Sequence, residues 1–154
     1  MVAIYNSFTR KKEPFTPIEF KKIRMYVCGM TVYDFCHIGH ARVMVVFDMV
    51  SRYLRSIGFE VFYVRNITDV DDKIIERANS SNQSISDLTS RFIEEMNNDA
   101  KALGVLPPDL EPKATEHIKE MIVIIEALIN NGYAYNKDGH VLFNVPSFNK
   151  YGSL

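Results

Sequence analysis

An α/β fold built on a parallel sheet is expected from three features of the 154-residue chain. A short apolar run, Met25-Tyr26-Val27, leads into a loop rich in glycine, histidine and cysteine that has no hydrophobic periodicity. A helical stripe leaves that loop. A nearly continuous apolar, β-prone run, Phe59–Val64, follows it. Strand, helix and strand in so short a compass make a right-handed βαβ unit, whose strands are parallel.

Each element follows from its residues. Met1–Lys22 carries Arg10-Lys11-Lys12 and then Pro14 and Pro17, which suit an edge hairpin or extended segment. Arg24–Cys28 is the first core strand. His40–Ile57 is helical, with Val43, Phe47, Val50, Leu54 and Ile57 as one apolar stripe and Gly58 as its stop. Phe59–Val64 is expected to be buried on both faces. Thr68 with Asp71 predicts a capping box that opens a short helix through about Ala78. Ser84 with Asp87 predicts a second, above the stripe Ile85, Leu88, Phe92, Met96 and Leu103. After the rigid Pro107-Pro108, a further helix spans about Pro112 to Asn131. Its apolar face is Ile118, Met121, Ile122, Ile125, Leu128 and Ile129. Tyr133–Tyr135 and Val141–Val145 flank a hairpin turn, Asn136 to His140.

Composition narrows the class. Hydrophobic residues make up 47% and charged residues 24% of the chain, as in a soluble globular domain. There is no leader-like apolar stretch and no run of membrane-spanning length, so a cytoplasmic protein with no membrane partner is expected. Two cysteines make no disulfide framework. The net charge of −1 hides an asymmetry. Residues 1–65 hold ten Lys/Arg against five Asp/Glu, and residues 66–126 hold six against thirteen. The basic part suits phosphate ligands; the acidic part is a poor surface for nucleic acid. Solvated helix faces account for much of the imbalance.

The chemistry concentrates in Val27–Arg42. The first turn of a helix carries unpaired N–H groups and partial positive charge, and so attracts phosphate. Gly39 lets a nucleotide approach the backbone closely. His37 and His40 lie three apart and can face one ligand from that turn. Imidazole N–H groups stabilise charge that develops on phosphate oxygens. Asn66–Asp72 follows the second strand at its carboxyl end, where open α/β sheets bind ligands. Cys28 reads either as a small buried hydrophobe or as a zinc ligand. The spacing of Cys28, Cys36 and His37 is not that of a compact zinc finger, and Cys36 is expected to pack. His117 is expected at the surface and His140 in a turn. Asp71 and Asp72 suit a helix N-terminus better than magnesium binding.

His37-Ile38-Gly39-His40 resembles the HIGH signature of class I aminoacyl-tRNA synthetases. Tyr26-Val27-Cys28-Gly29-Met30-Thr31-Val32-Tyr33-Asp34 narrows the resemblance to the cysteinyl-tRNA synthetase family. Tyr5-Asn6-Ser7 with Thr9–Glu13, Val64–Ile74 and Glu111–Ile118 resemble the same family, so the likeness covers nearly the whole chain. It implies a Rossmann-like (HUP-type) parallel-sheet nucleotide-binding fold, incomplete here. Residues 1–79 would be the first half of the catalytic domain and residues 80–154 a helical and β-hairpin insertion. It implies a ligase: ATP, with Mg2+, activates L-cysteine to cysteinyl-adenylate, and the cysteinyl group passes to tRNA(Cys).

By that resemblance His37 and His40 are catalytic and bind ATP together with Gly39. Cys28, Gly29, Thr31, Asn66 and Thr68 bind substrate, and Cys28 binds Zn2+ with three ligands from later in the chain. Such a metal would separate a thiol from a hydroxyl, which size alone can hardly do. Tyr33 and Asp34 shape the loop. The second phosphate-binding element of the family, Lys-Met-Ser-Lys-Ser, is absent. The chain is therefore expected to be a monomeric N-terminal piece, nearly inactive alone, with tRNA gripped mostly by other regions. Two rival readings are a cysteine-adenylating ligase of mycothiol synthesis and a non-catalytic nucleotide- or metal-binding module. The first is disfavoured by Val32, where proline is expected in that family.

Overall fold

A computed structural model describes residues 2–153, which fall into two compact units. The larger is Pro17–Glu116; the smaller combines Met1–Thr16 with His117–Leu154. In chain order the elements are β1 (Ala3–Asn6), β2 (Lys11–Pro14), β3 (Lys22–Val27), α1 (Ile38–Ser56), β4 (Glu60–Arg65), α2 (Asp72–Ser81), α3 (Ile85–Ala102), α4 (Ile118–Asn130), β5 (Ala134–Lys137) and β6 (His140–Phe143).

In the larger unit β3 and β4 pair in parallel, Lys22 opposite Glu60 through Val27 opposite Arg65, with α1 as the crossover. Residues 110–113 extend this sheet through two isolated bridges. Val64 bridges Leu110 and Ile67 bridges Lys113, both parallel. The Arg65 and Ile67 N–H groups donate to the Leu110 and Pro112 carbonyls. Side chains fasten the same stretch. Asp109 accepts from Arg55 and from the Tyr63 N–H, Glu111 from Arg65, and Asp69 from the Thr115 N–H and hydroxyl. The core beneath is Val32, Met44, Ile67, Ile74, Ala78, Leu88, Phe92, Met96 and Ala100, supplied chiefly by α2 and α3.

The structure corrects four expectations. β4 is not buried on both faces: Val61, Tyr63 and Arg65 face inward, but Phe62 is 47% exposed, because only one face of this short sheet is covered among the described residues. The buried line of α1 is Met44, Ser51 and Leu54, rotated from the expected stripe; Val43 and Ile57 are exposed. The cap of α2 is Asp71, whose carboxylate accepts from the Lys73 N–H. Thr68 is instead held in the sheet, its N–H donating to the Met30 carbonyl. The last long helix begins at Ile118 rather than near Pro112, since residues 109–113 are engaged with β4 and Ile67, and Ala114–His117 is a 3-10 turn.

In the smaller unit β1 and β2 form an antiparallel hairpin, one of the two forms expected of this segment. β5 and β6 form the second, with Asp138 and Gly139 at positive φ as a type I′ turn requires. No residue of α4 is buried, and Ile118 and Ile122 are 43% and 49% exposed, so the apolar face read from its periodicity is not a core face. Ser84 caps α3 as expected, accepting from the Asp87 N–H. No helix among the described residues is long and apolar enough to cross a membrane.

Candidate active site

The mouth of α1 is organised by its two histidines. His37 is the N-cap, and its Nδ1 accepts from the Gly39 N–H at 3.0 Å. His40 Nδ1 accepts from the His37 N–H at 3.3 Å. The rings stack with centroids 3.8 Å apart and planes 24° apart. A ring nitrogen that accepts a backbone N–H carries no proton, so each neutral imidazole keeps its proton on Nε2. The cap therefore makes two Nε2–H donors side by side. Burial, and then the neighbouring His37, push the His40 pKa below its ordinary 6.5. His40 is thus a neutral donor near pH 7. No acidic side chain occupies the first turn. A Cβ on Gly39 would lie 2.8 Å from His37 Cε1, so glycine keeps the cap and the stack in place.

Beside this mouth is a cleft of about 310 Å³. Cys28, Gly29, Met30 and Thr31 form one wall, His40, Val43 and Met44 of α1 another, and Arg65 and Met96 complete it. Cys28 is exposed there. Cys28, Gly29, Thr31 and His40 are thus brought together. His37 and Gly39 act through the cap and do not line the cleft. Asn66 and Thr68 sit behind Gly29: Asn66 Oδ1 accepts from the Gly29 N–H at 2.8 Å, and Asn66 Nδ2 donates to Thr68 Oγ1 at 3.2 Å.

Sequence reasoning missed Arg65 and Met96. Arg65 closes an apolar strand, and its place at the carboxyl edge was a usable signal. Met96 comes from α3, and only tertiary packing reveals it. Arg65 is buried and donates from Nε and Nη2 to Glu111 Oε1 at 3.0 and 2.6 Å. Cys36 packs with Sγ 3.4 Å from Met30 Sδ. Burial, and then Asp99, push its thiol up to about 11, so it stays protonated. His117 lies 3.9 Å from Glu120, and His140 opens β6. No three His, Cys, Asp or Glu side chains converge on a metal position among the described residues. Within the described residues Cys28 thus offers one thiolate and no closed set of ligands.

The sequence profile of the class I tRNA synthetase (C) catalytic domain matches residues 14–154. The chain belongs to this family. A cysteine–tRNA ligase of Neisseria meningitidis serogroup A is 61% identical over the whole chain, which spans 22% of that relative. Another, from Methylococcus capsulatus, is 60% identical over the whole chain and 33% of its own length. The chain therefore spans between about a fifth and a third of these relatives. Among solved structures, the Agrobacterium radiobacter K84 agnB2 LeuRS–tRNA–LeuAMS ternary complex aligns with a TM-score of 0.64. It is 19% identical and covers 74% of this chain and 15% of that one. At that identity the likeness shows the fold alone: a mixed α/β architecture with a parallel sheet, as in class I tRNA synthetases.

Proposed function

We propose that this chain is the part of a cysteine–tRNA ligase that seats L-cysteine and the phosphates of ATP. The single observation that carries the reading is the meeting of Cys28 and His40 in one cleft beside the mouth of α1. Residues 1–79 then form the first half of a Rossmann-like (HUP-type) catalytic domain. Residues 80–154 form its helical and hairpin insertion, with Met96 of that insertion reaching the cleft.

The cysteine carboxylate attacks the α-phosphorus of ATP. A new P–O bond forms, the bond to the β-phosphate bridge breaks, and pyrophosphate departs with its electron pair. The chain supplies position and charge stabilisation rather than a nucleophile. His40 Nε2–H, with His37 Nε2–H beside it, donates to the oxygens on which charge grows. Gly39 admits the phosphates, and Mg2+ travels with ATP. Gly29 and Thr31 shape the cysteine pocket with Asn66 and Thr68 behind them. In the second step a ribose hydroxyl at the tRNA terminus attacks the cysteinyl carbonyl and AMP leaves. The exposed Cys28 thiol fits one position of a zinc site completed by side chains outside the described residues. Zinc held there would bind the substrate sulfur and favour it over the serine hydroxyl.

The test is ATP–pyrophosphate exchange by a full-length protein containing this chain, with cysteine and with serine. Exchange with cysteine and background with serine is expected, and Cys28→Ser abolishes the cysteine signal. Exchange that ignores cysteine overturns the reading.

A further inference from the structure

The ladder between β3 and β4 does not simply end at Val27. Val27 pairs with Arg65 and, further on, Thr31 pairs with Thr68. Four residues advance on the first strand while three advance on the second. One residue is therefore extra, a bulge at Cys28–Met30, beyond which pairing resumes: the Val32 N–H donates to the Thr68 carbonyl and the Thr68 N–H to the Met30 carbonyl. The bulge has a consequence for every side chain after it. Val27 and Val32 are five apart, an odd separation that would put them on opposite faces of a regular strand, yet both are buried. The extra residue resets the phase. Val32 enters the core, while Cys28 and Thr31 are left on the cleft.

A bulge leaves one ladder group without its ordinary partner. Here that group is the Gly29 N–H, and Asn66 Oδ1 takes it at 2.8 Å. Only an oxygen can accept there, which sets the amide orientation and turns Nδ2 toward Thr68 Oγ1. Space admits no alternative at Gly29, where a Cβ would lie 1.6 Å from the Asn66 carbonyl oxygen. We propose that Asn66 is a positioning residue: its side-chain oxygen pins the bulge that presents Cys28 and Thr31 to the substrate amino acid, and its own amide does not contact that substrate. The proposal rests on the cysteine-binding reading of the cleft and names how the cleft is set.

The experiment compares Asn66→Ala and Asn66→Asp in the full-length protein, by exchange kinetics and by iodoacetamide alkylation of Cys28 read by mass spectrometry. Alanine removes the acceptor; aspartate keeps it and removes the Nδ2 donor. Asn66→Ala is expected to raise the KM for cysteine about tenfold with the KM for ATP unchanged, and Asn66→Asp to stay within about twofold of the parent. An unchanged KM in Asn66→Ala, or equal impairment of both variants, overturns the proposal. Should Asn66→Ala not fold, Asn66→Ser, whose hydroxyl is too short to reach the Gly29 N–H, takes its place with the same expected and overturning results. Should the parent show no cysteine-dependent exchange, the functional reading fails and the bulge is still read by alkylation. A change of about threefold or more in Asn66→Ala supports it, and an unchanged rate overturns it.

Discussion

At the scale of single residues, two positions decide the site. Gly29 has a backbone carbonyl where a side chain would stand, 1.6 Å from its ideal Cβ, and backbone cannot swing aside as a side chain can. Gly29→Ala is expected to lower stability by about 3 kcal/mol in urea unfolding, as overpacking does at its severe end. Gly39→Ala meets only a histidine ring and is expected to be milder. His40 carries the other prediction. Its folded pKa lies below the unfolded 6.5, first through burial and then through His37. The unfolded chain binds the proton first as pH falls. The stability linked to His40 is therefore present above about 6.5 and is lost as pH drops toward the folded value. NMR titration should place the His40 midpoint below 6.5. His40→Asn should lose less stability than the parent between pH 7 and pH 5.

Among elements, the stretch 109–115 shows how much of the fold was legible and why the rest was not. β3, β4, the span of α1 though not its buried face, the cap of α3 and the second hairpin were readable because each writes its own local signature. An apolar run, a stripe, a Ser-x-x-Asp cap and an Asp-Gly turn need no distant partner. The edge stretch beside β4 has no such signature. Residues 109–113 are extended because Arg65 and Ile67, over forty residues away, bind them through backbone and side chains, and Asp69 holds Thr115 in the 3-10 turn that follows. The burial of β4 was misread for a related reason, since an apolar run does not say how many faces are covered. Through Glu111 the stretch also holds Arg65, which lines the cleft. Arg65 is 6% exposed at its side chain and Glu111 is 23% exposed. Glu111→Ala would leave a buried guanidinium uncompensated, and a loss of roughly 3 kcal/mol in thermal or urea unfolding is expected. A change below a few tenths of a kcal/mol would show that Arg65 finds another partner.

On the scale of the whole chain, four pieces make one cleft: the residues just after β3, the first two turns of α1, the end of β4 and the middle of α3. The His-Ile-Gly-His motif and Cys28 were legible in the sequence because they sit in one short stretch. Met96 was not, because only the packing of α3 under the sheet brings it in; Arg65 was missed although it stands at the carboxyl edge of β4, opposite Val27. The chain is 61% identical along its whole length to a cysteine–tRNA ligase of which it spans 22%. We propose that the histidine pair at the mouth of α1 stabilises the charge of adenylate formation, while Cys28 and its neighbours seat the amino acid. The direct measurement is cysteine-dependent ATP–pyrophosphate exchange by full-length His40→Asn beside the parent. A maximal rate lowered on the order of a hundredfold is expected, with the KM for cysteine little changed. An unaltered rate would contradict it.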